Sequence, residues 1–172
     1  MKKTMILKDI VAALPLALPQ LKYVDKDWGQ LDKDNPAVGF PCALIDITDV
    51  DYTDLSAGWQ LASGTFTVKV ANQRTNSSSA HAPSTAKNNS YTTLELCDAV
   101  HLALNGFNGL HTPSEYAPLV RRGFYKQENG LKYECYAITY KTQWKEPPAA
   151  QTKMAIGGVG VDVEFSPHTG QQ

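Results

Sequence analysis

The sequence has few cysteines, and their arrangement suits neither disulfides nor a metal. Cys42, Cys97 and Cys135 are odd in number and far apart, and no two of them have the C-x-x-C spacing of a zinc site. Each cysteine has apolar neighbours in the sequence. We therefore expect three small buried side chains in a protein of a reducing compartment.

The chain also lacks an excess of charge. Sixteen basic residues nearly balance 17 acidic ones, which gives a formal net charge of −1. Binding to nucleic acid or to an anionic membrane normally requires clustered Lys and Arg. No sequence-specific contact with nucleic acid is expected.

Long apolar runs are missing as well. None reaches the roughly 20 residues that a membrane span requires. The segment MKKTMILKDIVAALPLALPQL begins like a secretory signal, but Lys8 and Asp9 interrupt its apolar run and no cleavage site follows. We expect a cytoplasmic protein with no membrane partner.

Catalytic motifs are not found. The serines at 77–79 lack a G-x-S-x-G elbow, and the nearby His81 lies in the same polar stretch as Ser79. The four histidines lack H-x-x-x-H spacing, and His101 falls on the apolar stripe of a predicted helix, where it is expected to be a core or interface residue. The protein is predicted not to be an enzyme, with no catalytic residues.

Two further segments resemble binding motifs only in part. Asp46, Asp49, Asp51 and Asp54 lack the central glycine and closing glutamate of a calcium loop, so solvated turn charges are the better interpretation. Residues 157–160 (GGVG) lack the Lys-Ser/Thr of a phosphate loop. No metal-binding or cofactor-binding residues are predicted.

What is present is the composition of a globular protein. With 172 residues and 42% hydrophobic side chains, the chain can form one domain with a sizeable core. Apolar side chains recur at helical spacing near the start, where Thr4 is a candidate cap and Pro15 is expected to end or kink the helix. The stripe consists of Ile6, Ile10, Val11 and Leu14.

A second helix is predicted over residues 91–107. Thr92 or Thr93 is expected to cap it, and the glycines at 106 and 109 should end it. Its predicted stripe is Leu94, Cys97, His101, Leu104 and Phe107, with Val100 beside it.

Alternating apolar residues predict strands over 21–28, 40–48, 60–72, 118–127 and 131–144, and Asn129-Gly130 predicts a tight turn between the last two. Residues 49–59 could extend their two flanking strands into a long projecting hairpin. The predicted fold is α+β, with two helices on one face of a mainly antiparallel sheet and a C-terminal arm. One core is expected, containing Ile45, Phe66, Val68, Leu94, Cys97, Leu104 and Ile138.

The last strand is apolar on both faces. One face needs cover from elsewhere in the chain or from another subunit. Residues 73–90 show no apolar periodicity and are predicted to form a long mobile loop available for docking. The alternating residues are Leu131, Tyr133, Cys135 and Ala137 on one face and Tyr136, Ile138 and Tyr140 on the other.

Two units are predicted, a domain of residues 1–145 and an arm of residues 146–172. The arm opens with the linker sequence KEPPAAQ, and Val159, Val161, Val163 and Phe165 then alternate like a strand. Such a strand would join the edge of its own sheet or that of an adjacent subunit, and the alternative is a disordered tail.

The order of these elements, with the segments KYVDKDWGQLDKDNPAVGFPCALID, TFTVKVANQ, YTTLELCDAVHLALNGF and ECYAITYKTQW, resembles the tail terminator (tail-completion) proteins of tailed bacteriophages and prophages. The resemblance covers roughly residues 4–144. It implies a hexameric ring that caps the tail tube and offers a surface to head-completion or neck proteins. The expected location is the host cytoplasm during assembly and then the virion. The arm departs from the family pattern.

Two other functions remain open at this point. One is another neck protein or a binding adaptor of a contractile injection system. The other is a small enzyme whose site the sequence does not reveal. A ring of subunits without a convergent polar pocket would favour the tail terminator over the enzyme.

Overall fold

Five strands form one sheet in the order β1-β2-β3-β5-β4. The computed structural model describes residues 2–33, 36–73, 77–110, 114–127 and 133–148. The strands are β1 Tyr23–Lys26, β2 Cys42–Asp54, β3 Gln60–Gln73, β4 Val120–Gln127 and β5 Tyr133–Glu146, and the helices are α1 Lys2–Ala17, α2 Ser84–Asn89 and α3 Thr92–Leu104.

The sheet is mainly antiparallel, as predicted. β2, β3, β5 and β4 pair antiparallel with their neighbours, whereas the short β1 runs parallel to β2. α1 and α3 contact each other and pack on the same face of this sheet. The fold is therefore α+β, with two helices on one sheet face.

The core lies between the sheet and the two helices. Ile45, Val68 and Ile138 stand side by side on β2, β3 and β5 and are fully buried, and Phe66 pairs with Tyr140 one step further along. Of the seven predicted core residues, six are buried, and Leu94 is partly buried against the same cluster. The prediction of a single core beneath the helices is confirmed.

The buried stripe of α3 differs from the predicted one. Val100 and Leu104 are fully buried, while Leu94 and His101 lie at the border of the contact. Cys97 and Leu104 of the predicted stripe are buried, as is Val100 beside it, but Thr93 and Leu96 complete the buried face in place of Leu94 and His101. The helix also ends at Leu104, before the predicted Phe107. The buried residues are Thr93, Leu96, Cys97, Val100 and Leu104.

Both expected boundaries of α1 are wrong. The helix begins at Lys2, so Thr4 lies within its first turn instead of capping it. It also continues through Pro15 to Ala17, and the Leu18 amide still donates to the Leu14 carbonyl at 2.8 Å. A proline near the end of a helix removes only one hydrogen bond, and the buried Ile6, Ile10 and Leu14 hold the helix on the sheet.

The second face of the sheet is covered at one end by the chain itself. Leu31, Val38 and Phe40, which follow β1, pack over Leu44 and Cys135. Lys69 Nζ lies 2.6 Å from Asp27 Oδ2, and the Tyr133 hydroxyl donates to the Leu31 carbonyl. This apolar patch is therefore covered by the chain itself, which is one of the two covers that the sequence left open.

The predicted loop over residues 73–90 contains one short helix, α2, which was not predicted. Within residues 77–90, most side chains are exposed and none belongs to the core. The Asn129-Gly130 turn and the strand-like residues 159–165 lie outside the described residues, so both stay predictions.

Candidate assembly interface

The far end of the β2–β3 hairpin is exposed. Its strands pair to their ends at Asp54 and Gln60, as predicted for residues 49–59, and β5 accompanies β3 to Glu146. The Leu55 amide donates to the Trp59 carbonyl at 2.7 Å and closes the turn. From residue 51 to residue 59 every side chain is exposed.

Apolar side chains are concentrated at the tip of this hairpin. Tyr52, Leu55 and Trp59 are 44%, 40% and 42% exposed. The Lys3 ammonium lies 5.6 Å from the centroid of the Tyr52 ring. Aromatic side chains that remain half exposed at a projecting turn are typical of contact surfaces.

The described chain also ends near this tip. A Cβ added to Gly58, which has a left-handed φ of 75°, would lie 3.1 Å from Pro148 Cβ. The residues between β5 and Pro148 therefore run beside the hairpin. The predicted arm leaves the described domain at the same end as the exposed aromatic side chains.

A close contact between β3 and β5 stiffens the base of the hairpin. The Trp144 ring covers Gly64 so closely that a Cβ at Gly64 would lie 2.6 Å from it, and Trp144 also contacts Phe66 edge-on. The Trp144 indole N–H donates to Glu146 Oε1 at 2.8 Å. Because Trp144 is only 2% exposed, it connects the hairpin rigidly to the core.

One edge of the sheet is open along β2. The parallel strand β1 covers only Cys42–Ile45, and no described strand pairs with the outer side of residues 46–54. This stretch contains four aspartates and no lysine or arginine: Asp46, Asp49, Asp51 and Asp54. We call it the acidic edge.

The opposite edge of the sheet is β4. Asn105 Oδ1 accepts from the Arg121 amide, and residues 122–127 have no strand on their outer side among those described. Three bases and two half-exposed aromatic residues occupy β4, without an acid. We call residues 122–127, with Arg121 at their start, the basic edge. These side chains are Arg121, Arg122, Phe124, Tyr125 and Lys126.

Two clefts lie on the surface of the described domain. One, of about 410 Å³, lies between α3 and β4 and includes Cys97 and Arg121. The other, of about 520 Å³, is lined largely by polar side chains, among them Asn72, Asn89 and Glu134. Burial raises the pKa of the Cys97 thiol to about 12, so it is a poor nucleophile.

The other candidates from the sequence do not form a catalytic arrangement. Ser79 Oγ accepts from the His81 backbone amide at 3.3 Å, and both residues are exposed. His101 stacks beside Tyr140 with ring centroids 6.5 Å apart, and burial, with Arg121 nearby, lowers its pKa. It is thus a residue at the border of the core.

The four aspartates are distributed along one strand and do not converge on a point. Within the described parts of the chain, no group of three His, Cys, Asp or Glu side chains is placed to hold a metal ion, and no helix is long and apolar enough to cross a membrane. Alternation in the sequence predicted a strand at β4 but did not indicate that this strand is an exposed edge. Its VRRGFYKQ composition, with bases and aromatics on both faces, was the available signal.

Comparison with known proteins gives a structural match only. No family model and no curated protein matches the sequence. The fold matches a chain from the virion of a native gene transfer agent particle, with a TM-score of 0.52 and 10% sequence identity. The match covers 84% of this chain and 97% of that chain. At this identity the match shows that the two chains share a fold.

Proposed function

We propose that this protein is a non-enzymatic structural component of a virion. The observation that carries the proposal is the fold, which matches almost the whole of a chain from a gene transfer agent virion. A fold alone does not define a function, so the surfaces of this chain must supply the rest. Among the described strands, two edges of the sheet have no partner, and the hairpin tip is aromatic and exposed; such surfaces are suited to contacts with other protein chains.

Within that class, we infer a tail terminator. The inference rests on the resemblance over residues 4–144, on the α+β fold and on edges that lie on opposite sides of the sheet. Contacts between two different surfaces of identical subunits generate a closed ring when the rotation closes. The proposed assembly is a hexameric ring that caps the tail tube and joins it to the head or neck.

The proposed partners are the tail tube protein and a head-completion or neck protein. The exposed segment 77–90 and the hairpin tip with Tyr52, Leu55 and Trp59 are available for these contacts. Segments with few core contacts can become ordered on binding without disturbing the fold. The protein would act in the host cytoplasm during assembly and remain in the virion afterwards.

A tube-capping assay tests this function. The purified protein is added to the polymerising tail tube protein of the same genome, and tube lengths are measured by electron microscopy. We expect growth to stop, with added density at one tube end. Tubes of unchanged length without terminal density would contradict the tail terminator assignment. An adaptor or neck protein that binds elsewhere would be recognised by density away from the tube end.

A variant with an altered hairpin tip provides a sharper comparison. Trp59→Ser and Leu55→Ser remove exposed apolar side chains and should leave folding intact, because neither residue belongs to the core. If the tip contacts the tube or neck, these substitutions should reduce capping. The matched control is Leu102→Ser, which removes an 82% exposed leucine from α3.

A further inference from the structure

We propose that the acidic edge of one subunit binds the basic edge of the next copy of this chain, so that the sheets of neighbouring subunits join edge to edge. This proposal rests on the ring-forming function proposed above and specifies its contact. The acidic edge is residues 46–54 of β2, and the basic edge is residues 121–127 of β4. They are the two outer edges of the same sheet.

The charges are the first argument. Asp49 and Asp51 are exposed on the acidic edge, and Arg122 and Lys126 are exposed on the basic edge. The described structure gives none of these four a salt bridge. Opposite charges on two open edges attract, whereas two acidic or two basic edges repel. The charges therefore favour a head-to-tail contact and disfavour a symmetric dimer through either edge.

The exposed apolar residues are the second argument. By strand register, Tyr52 and Phe124 lie on the helix side of the sheet, and both are nearly half exposed. If the sheet continues into a neighbour with its helices on the same side, these rings come to the same face of the joint. Tyr125 lies on the face of the sheet away from the helices, as do Asp49 and Asp51. In the proposed joint, the Tyr125 hydroxyl of one subunit is therefore on the same face as these two aspartates of its neighbour.

The backbone is the third argument. An open strand edge presents unpaired N–H and C=O groups, and an added strand satisfies them. Both edges carry one irregularity, between Ile47 and Asp49 in β2 and between Arg121 and Gly123 in β4. Bulges of this kind at sheet edges limit indiscriminate pairing, so the charges and rings select the partner edge.

The charged side chains of the two edges lie largely on opposite sides of the sheet, which sets the distance over which they attract. Arg121 and Lys126 lie on the helix side by register, while Asp49 and Asp51 lie on the other side. The charges therefore act mainly across the joint instead of as contact ion pairs. Their attraction is screened over about 8 Å at physiological salt. Self-association should accordingly weaken as salt is raised.

The test uses charge reversal with mixing. One variant carries Asp49→Lys, Asp51→Lys and Asp54→Lys, and a second carries Arg122→Glu and Lys126→Glu. Each variant alone has two edges of like sign, so its self-association, measured by analytical ultracentrifugation, should weaken by about tenfold or more. An equal mixture should associate again, because alternating copies restore opposite charges at every joint. A variant carrying all five changes should also associate.

The control carries Lys8→Glu and Glu95→Lys, two exposed charges on α1 and α3, and should associate like the unchanged protein. Circular dichroism must show folding in every variant. An oligomer unaffected by either reversal, or one that the mixture does not restore, would overturn the edge contact. A protein that is monomeric at all concentrations would also overturn it. The proposed tail terminator function is tested separately, by whether the unchanged protein caps tail tubes.

Discussion

At the scale of single residues, the structure places the three cysteines in the interior and predicts that their thiols react poorly. Cys42, Cys97 and Cys135 are at most 2% exposed and form no disulfide. Burial raises their pKa values from 9.0 to about 12, 12 and 11 respectively. The sequence prediction of three small buried side chains is confirmed.

These raised pKa values predict a loss of stability at alkaline pH. The folded thiols hold their protons while the unfolded thiols release them above pH 9, so the free energy of unfolding falls as pH rises from about 9 towards 12. The melting temperature measured from pH 7 to pH 10.5 should fall accordingly. Cys42→Ala should make this pH slope shallower, and an unchanged slope would contradict the assignment.

Phe66 gives a second prediction at this scale. Its side chain is fully buried in the core cluster, where it contacts the Trp144 ring edge-on. Phe66→Ala should lower the free energy of unfolding by about 3–5 kcal/mol, because it leaves a cavity in the core. Urea denaturation measures this loss. Thr65→Ala on the opposite face is the control and should cost much less; an equal loss in both variants would contradict the strand register.

At the scale of elements, the sequence predicted the strands better than the helix faces. β2, β3 and β5 alternate strongly, and a strand has only two faces, so Ile45, Val68 and Ile138 were placed correctly. α3 carries apolar residues on two neighbouring stripes, and only its packing against α1 and the sheet selects the one centred on Val100. Local spacing does not contain that information.

The candidate interface was predictable only in part. The sequence showed the four aspartates of residues 46–54 and predicted the projecting hairpin. It did not predict which strands form the edges of the sheet. Strand order depends on contacts between distant parts of the chain. The sequence did not show that β5 lies between β3 and β4, which leaves β4 at the edge of the sheet. Nor did it show that Leu31 and Phe40 cover the second apolar face. The second face of β5 is thus partly covered within the chain, and β4 forms an edge of the described sheet.

The segment over residues 77–90 carries the prediction at this scale. Deleting residues 78–88, with a short Gly-Ser replacement, should leave the melting temperature within a few degrees, because these side chains make no core contacts. The same deletion should abolish tube capping if the segment docks there. Loss of soluble folded protein would contradict the docking hypothesis, and capping at the normal level would contradict it equally.

At the scale of the whole molecule, the surfaces of the domain differ in charge and in how far they are covered. The helices and Leu31 cover parts of the two sheet faces, while no other described strand pairs with the acidic or the basic edge, which lie on opposite sides of the sheet. The hairpin tip and Pro148 lie together at one end. The arm of residues 146–172 stays a prediction, as does its contact with a neighbouring subunit. This distribution suits a subunit that has a copy on each side and other partners at its ends.

The stoichiometry of the purified protein tests self-assembly most directly. Native mass spectrometry resolves assemblies of an 18.8 kDa chain without assuming their shape. The account predicts a closed assembly of a single size, with six copies as the expected number and no continuous ladder of larger species. A protein that remains monomeric over the whole accessible concentration range would contradict the central claim.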